Sequence, residues 1–133
     1  MDSINRTIDS ILKGKISITQ LKYGFRYGFE AVFLAAFVNG FLQQNKKKDV
    51  LLADVGSGVG TISLIIAYKN KKINLTAIEN NNQYFELAKE NILNNNLQKQ
   101  IKLLNSDIFK INKALVNTFD IVVSNPPFYK EYK

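Results

Sequence analysis

Four groups of residues carry types and spacings that can do chemistry. Asp54-Val55-Gly56-Ser57-Gly58-Val59-Gly60 places an acid and three alternating glycines at the end of an apolar run. Glycine tolerates φ > 0 and lets backbone N–H groups approach a ligand, so this segment can cradle a nucleotide ahead of a helix. A tight strand-to-helix turn without ligand is the plainer reading. Glu79 stands 25 positions after Asp54, close to the ~20-residue offset at which an acid reaches a ribose and accepts both its hydroxyls. Asp107 and Ile108 pair an acid with an apolar residue just past a further apolar run. Last comes Asn125-Pro126-Pro127-Phe128. Two prolines fix φ and donate no N–H, so the Asn125 side chain and the Pro126 carbonyl become rigid acceptors, with Phe128 as a flat apolar face. That set suits a planar amine: acceptors hold its N–H bonds, its lone pair turns toward an electrophile, and the ring stacks the base.

These groups need strands and helices to hold them. Val50 to Val55, interrupted only by Asp54, reads as a parallel strand buried on both faces, followed by a helix from Thr61 to Ala67. Ile73 to Ile78 reads as a second strand ending at Glu79, and a helix opens at Asn80-Asn81-Asn82 with an amphipathic face through Tyr84, Phe85, Leu87, Ala88, Asn91, Ile92 and Leu93. Ile101 to Leu104 is a third strand. Phe119 to Ser124 is a fourth, which puts Asn125 at a strand C-terminus, where open parallel sheets bind ligands. Upstream, Ser3 is expected to cap a short helix to about Lys13, striped by Ile4, Ile8, Ile11 and Leu12 and stopped by Gly14. Ile16 to Leu21 then alternates like a short strand. The stretch Gln20 to Ala31 is rich in aromatics and glycine, as ligand-facing loops often are. The helix after it, Glu30 to about Gln44, is apolar on most sides and is expected to be largely buried against the sheet.

The order D-x-G-x-G-x-G resembles the first motif of the class I methyltransferases that use S-adenosylmethionine. It differs from the dinucleotide fingerprint G-x-G-x-x-G, which disfavours a module for NAD. N-P-P-F at Asn125 to Phe128 resembles the fourth motif of amino-methylating enzymes that act on adenine N6, guanine N2 or protein glutamine. Gly24-Phe25-Arg26-Tyr27-Gly28-Phe29-Glu30-Ala31 is similar to the pre-helix motif of bacterial enzymes that methylate an adenine of a valine tRNA, although an aspartate more often stands at Glu30.

The resemblance implies S-adenosylmethionine as cofactor. Asp54 would hold its ammonium, Gly56, Ser57, Gly58 and Gly60 its amino-acid part, Glu79 its ribose, Asp107 its adenine amino group and Ile108 the ring. Arg26, Tyr27 and Glu30 would line the same pocket. Asn125, Pro126, Pro127 and Phe128 would be catalytic, transferring methyl to an exocyclic amino nitrogen, first of all adenine N6 in tRNA, with guanine N2 and protein glutamine as alternatives. An adenine in structured RNA would be unstacked to enter. The implied fold is α/β, a Rossmann-like three-layer sandwich whose complete form has seven strands in the order 3-2-1-4-5-7-6. Four are visible, in the order 3-2-1-4, so residues 1–133 read as one domain truncated after strand 4, with a helical pre-helix region at 1–45 packed on a β/α core at 46–133. Strand 4 would then be an exposed edge open to a second polypeptide or to self-association. A split enzyme and an inactive cofactor-binding remnant both fit.

Composition narrows the rest. Apolar residues make up 46% and charged residues 22% of 133, the balance of a folded chain. A net charge of +7 fits an acidic partner such as RNA, or solvated loop charge at Lys46-Lys47-Lys48 and Lys69 to Lys72. Without cysteine or histidine there is no disulfide, thiolate chemistry or common zinc site, and no metal is expected. No apolar run approaches the ~20 residues of a membrane span and Met1 to Asn5 lacks signal-peptide character, so the expected location is cytoplasmic.

Overall fold

The computed structural model describes residues 5–45 and 49–127. Its centre is β3 (Leu51–Val55), which pairs in parallel with β4 (Asn74–Glu79) on one side and β6 (Ile121–Ser124) on the other; β5 (Ile101–Asn105) flanks β4. The resulting order β5-β4-β3-β6 is 3-2-1-4 when counted from β3, as the sequence led us to expect. Parallel neighbours require crossovers. Two of these are α2 (Thr61–Lys69), between β3 and β4, and α3 (Asn82–Asn94), between β4 and β5. Both advance the chain in one direction, so right-handed connection places them on one face of the sheet. The return from β5 to β6 reverses that direction and runs through two 3₁₀ turns, Ile108–Lys110 and Lys113–Leu115.

Local sequence explains these elements. Every residue of α2 from Thr61 to Ala67 is buried; five of the seven are apolar, and Ser63 is satisfied by donating to Asp54 Oδ2. Asn81 caps α3 by accepting from the N–H groups of Gln83 and Tyr84 at 2.9 and 3.2 Å, so the asparagine run acts as a helix start. Leu52, Leu64, Ile66, Leu75 and Leu87 are inaccessible or nearly so and form the core between sheet and helices.

The first expected helix is not there. Residues Arg6–Ile11 form β1, antiparallel to β2 (Ile16–Leu21), with Arg6 opposite Leu21 and Ile11 opposite Ile16. Ile8, a member of the supposed helical stripe, is 74% exposed, whereas Ile16 and Ile18 are inaccessible. Leu12, Lys13 and Gly14 turn the chain with φ of 50°, 55° and 82°. Spacing in this short stretch fits a helix or a strand. A neighbouring six-residue strand of high β-propensity decides between them, because pairing is a tertiary effect that local periodicity does not contain. Ser3 and Ile4 lie outside the described residues.

The long helix α1 (Phe29–Gln44) forms where expected, but its burial differs. It leans on α2 through Ala31, Ala35, Val38 and Asn39, and Asn39 Oδ1 accepts from Asn70 Nδ2 at 2.5 Å. Phe29, Phe33, Phe37 and Phe41 are 80, 70, 74 and 48% exposed. Their i, i+4 spacing stacks them in one stripe. α1 packs beside α2 along one side, with Val32, Leu34 and Leu42 partly buried against the core, and leaves the phenylalanine stripe uncovered. Among the described residues no helix is long and apolar enough to cross a membrane.

Candidate active site

The glycine segment leaves the C-terminal end of β3 in a conformation that only glycine adopts without strain. Gly56, Gly58 and Gly60 have φ of 68°, 56° and 92°. The N–H groups of Gly56 and Ser57 both donate to Ile78 O, at 2.9 and 3.0 Å, which ties the turn to the end of β4. A Cβ added at Gly56 or Gly58 would meet nothing within 4 Å. The loop therefore borders open space.

Glu79 clamps this loop. Its Oε2 accepts from Gly58 N–H at 2.7 Å and its Oε1 from Asn81 N–H at 2.8 Å, yet each carboxylate oxygen keeps a lone pair for a further donor. Asp54 lies deeper and is 1% exposed. Its Oδ2 accepts from Ser63 Oγ at 2.6 Å, while Oδ1 is buried without a partner. Burial pushes its carboxyl up to about 6; hydrogen bonds from Ser63 oppose that rise and the charge of Glu79 adds to it.

A cavity of about 30 Å³ sits against the loop. It gathers residues far apart in sequence: Phe25 and Tyr27 before α1, Gly56, Ser57 and Gly58 in the loop, Thr61 at the start of α2, Tyr84 on α3, and Asn125 just after β6. Among the described residues the hydroxyls Ser57 Oγ and Thr61 Oγ1 are buried there without a hydrogen-bond partner. Buried polar atoms normally find partners, so both have capacity for a water or for a polar atom of a ligand. Burial, and then the charge of Asp9, push the Tyr27 phenol upward.

Other expected residues fall elsewhere. Asp107 is half-buried and caps its own turn, Oδ1 accepting from Phe109 N–H at 2.9 Å. Ile108 is 42% exposed. Both follow Ser106, whose N–H donates to Glu79 O at 3.2 Å, so they stand next to Glu79 at the same edge of the sheet without lining the cavity. Pro126 and Pro127 are exposed, and Phe128 lies outside the described residues. Arg26 does not line the cavity: its guanidinium donates to Thr7 Oγ1 at 2.8 Å and Leu21 O at 2.5 Å and pairs with Asp9 at 2.9 Å. It staples the pre-helix loop to the β1–β2 hairpin, whose Asp9 and Thr7 stand within its reach. Glu30 is exposed and folds back against Gly28.

Tyr84 and Thr61 were not anticipated as site residues. The Tyr84 hydroxyl accepts from Phe25 N–H at 3.1 Å and joins α3 to the pre-helix loop. A tyrosine on an otherwise apolar face, one turn from a helix cap, is a usable signal, since a buried phenol seeks a polar partner.

The sequence pattern of the family described as methyltransferase small domain matches residues 35–133. The chain is 36% identical over 87 residues to the release factor glutamine methyltransferase of Streptococcus pneumoniae, covering 65% of this chain and 29% of that protein. It is 31% identical over 81 residues to the tRNA1(Val) (adenine(37)-N6)-methyltransferase of Histophilus somni, covering 60% of this chain and 34% of that protein. It thus spans about a third of the length of these relatives. A solved SAM-dependent methyltransferase from Agrobacterium tumefaciens shares the fold, with a TM-score of 0.75 over 92% of this chain and 40% of that one, at 18% identity.

Proposed function

This chain belongs to the methyltransferase small domain family, and we propose that it holds S-adenosylmethionine at the glycine loop and serves methyl transfer to an amino nitrogen, first of all adenine N6 in tRNA. The observation that carries this reading is the cavity that joins the glycine loop to Tyr27 and Asn125. When bound, the sulfonium of the cofactor supplies an already activated methyl group.

The chain's own residues bind and align. The N–H of Gly58 is fixed by Glu79, whose remaining lone pairs are free for ribose hydroxyls. Ser57 and Thr61 offer their unpartnered hydroxyls to the polar amino-acid part, and Asp54 lends negative charge beneath it. Asp107 would read the adenine amino group and Ile108 pack on its ring, as the resemblance implies. Asn125 offers a carbonyl acceptor to the N–H of the substrate amine, with Pro126 and Pro127 stiffening the backbone around it and Phe128 stacking the base. Fixed acceptors turn the conjugated lone pair toward the methyl carbon and stabilise the positive charge that grows on nitrogen. The proton can leave afterwards, so no buried base is required.

RNA is favoured as partner by the net charge of +7, and a cytoplasmic location accords with such a substrate. A second reading, transfer to a protein glutamine, is favoured by the 36% identity to the release factor enzyme; guanine N2 transfer and an inactive cofactor-binding piece complete the alternatives. The outer edge of β6, where Val122 is 62% exposed, is the place for a second polypeptide or a second copy to add a strand.

Calorimetric titration with S-adenosylhomocysteine and NAD, followed by methyl transfer to tRNA and to a glutamine-bearing release-factor peptide, tests the reading. Micromolar binding of S-adenosylhomocysteine but not of NAD, with tRNA methylation, is expected. Binding of neither ligand by a folded chain would overturn the cofactor site, and transfer to the peptide alone would overturn the RNA substrate.

A further inference from the structure

α3 and its C-cap residue present two asparagines, Asn91 and Asn95, one helical turn apart to the edge of β2. Asn95 Oδ1 accepts from Ser17 N–H at 2.9 Å and its Nδ2 donates to Ser17 O at 2.7 Å. Asn91 repeats the pattern on Thr19, accepting from its N–H at 2.7 Å and donating to its carbonyl at 2.9 Å. Alternate residues of a strand present their backbone groups to the same side, and one helical turn nearly matches that two-residue repeat. Two side-chain amides therefore stand in for a missing strand and dock the β1–β2 hairpin on α3.

The two differ in one bond. Asn91 Nδ2 also donates to Val59 O at 3.0 Å, inside the glycine loop, and Asn91 is 0% exposed with its amide fully used. The same Val59–Gly60 peptide is held from its other side, where Gly60 N–H donates to Ser57 O at 2.9 Å. Val59 and Ser57 both border the cavity. We propose that Asn91 is a positioning residue that couples the docked hairpin to the shape of the glycine loop. Its bearing on ligand binding rests on the cofactor reading above; its bearing on the loop does not.

The test compares Asn91→Ala with Asn95→Ala, which loosens the same strand without touching the loop. Two readouts are taken: the amide resonance and hydrogen exchange of Gly60 in the ligand-free chain, and S-adenosylhomocysteine affinity. The expected result is faster exchange and a shifted Gly60 resonance with at least tenfold weaker binding for Asn91→Ala, against an unmoved Gly60 and affinity within twofold for Asn95→Ala. Equal effects of the two variants, or an unmoved Gly60 in Asn91→Ala, would overturn the proposal. Failure of the native chain to bind would sink the cofactor reading while the Gly60 resonance still decides the coupling. Should Asn91→Ala not fold, Asn91→Asp keeps the bond from Thr19 N–H and sets a carboxylate oxygen against Val59 O; a native-like Gly60 in that variant would equally overturn the coupling.

Discussion

Replacing Asp54 by Asn should make this protein more stable at neutral pH and a weaker binder. The carboxyl is 1% exposed and its pKa lies near 6 rather than 3.8, chiefly through burial. An acid whose pKa is raised on folding holds its proton more tightly in the native state than in the unfolded chain. Between pH 3.8 and about 6 the native state therefore binds more protons, and stability falls as pH rises through that window and levels off above it. At 1.36 kcal/mol per pH unit, ionised Asp54 costs about 3 kcal/mol at pH 7.5. Asparagine keeps the shape and an acceptor for Ser63 but sets an NH₂ where Oδ1 is unpartnered, a penalty of about 1 kcal/mol. The net gain is about 2 kcal/mol, or roughly 5–8 °C in Tm for a domain of this size. Urea unfolding followed by circular dichroism at pH 4, 5, 6 and 7.5 measures it. Asp54→Asn should be the more stable protein above pH 6, and the native decline between pH 4 and 6 should flatten. A variant no more stable than the native chain at pH 7.5, with the decline intact, would refute the reasoning that an unrelieved buried anion is held beneath the site.

Glu79→Ala removes the acceptor of Gly58 N–H and Asn81 N–H; with water replacing part of the loss, stability should drop by about 2 kcal/mol and S-adenosylhomocysteine affinity by more than tenfold, and calorimetry showing equal binding would remove Glu79 from the site. On the proposed role of Asn125, which is half-buried and lines the cavity, Asn125→Ala should lower methyl transfer by at least a hundredfold while leaving cofactor affinity within threefold; undiminished turnover would end that role. Gly60→Ala meets Ala88 Cβ at an ordinary 3.7 Å, so its cost comes from φ of 92° and should reach about 1–2 kcal/mol, read as a lower Tm; an unshifted midpoint would mean that the loop relaxes.

The strand, loop and helix from Leu51 to Lys69 were legible because their signals are local: an apolar run, three glycines that require φ > 0, and a second apolar run. Glu79 was legible through its spacing, although its hold on Gly58 N–H was not, since a hydrogen bond across 21 residues leaves no local trace. The hairpin failed for the same reason: what makes Arg6–Ile11 a strand is β2 and the amides of Asn91 on α3 and Asn95 at its C-cap. In α1 the abundance of apolar residues was plain, yet which of them would be covered depended on which side packs beside α2. Arg26 looked like a ligand residue because arginine beside aromatics suits either role, and only the position of Asp9 assigns it to the hairpin.

The pairing of β3 with both β4 and β6 sets an order of assembly. Asp54 lies opposite Ala77 on β4 but opposite Val123 on β6, so the second pairing closes a loop about three times longer, at about 1 kcal/mol of additional chain entropy. β6 is also four residues long and, among the described residues, bonded on one side. The longer loop closure and one-sided pairing predict that β6 joins the sheet last during folding and opens first in native-state hydrogen exchange. On this order the glycine loop between β3 and α2 forms before the strand that leads into Asn125 is added, and it persists when that strand opens.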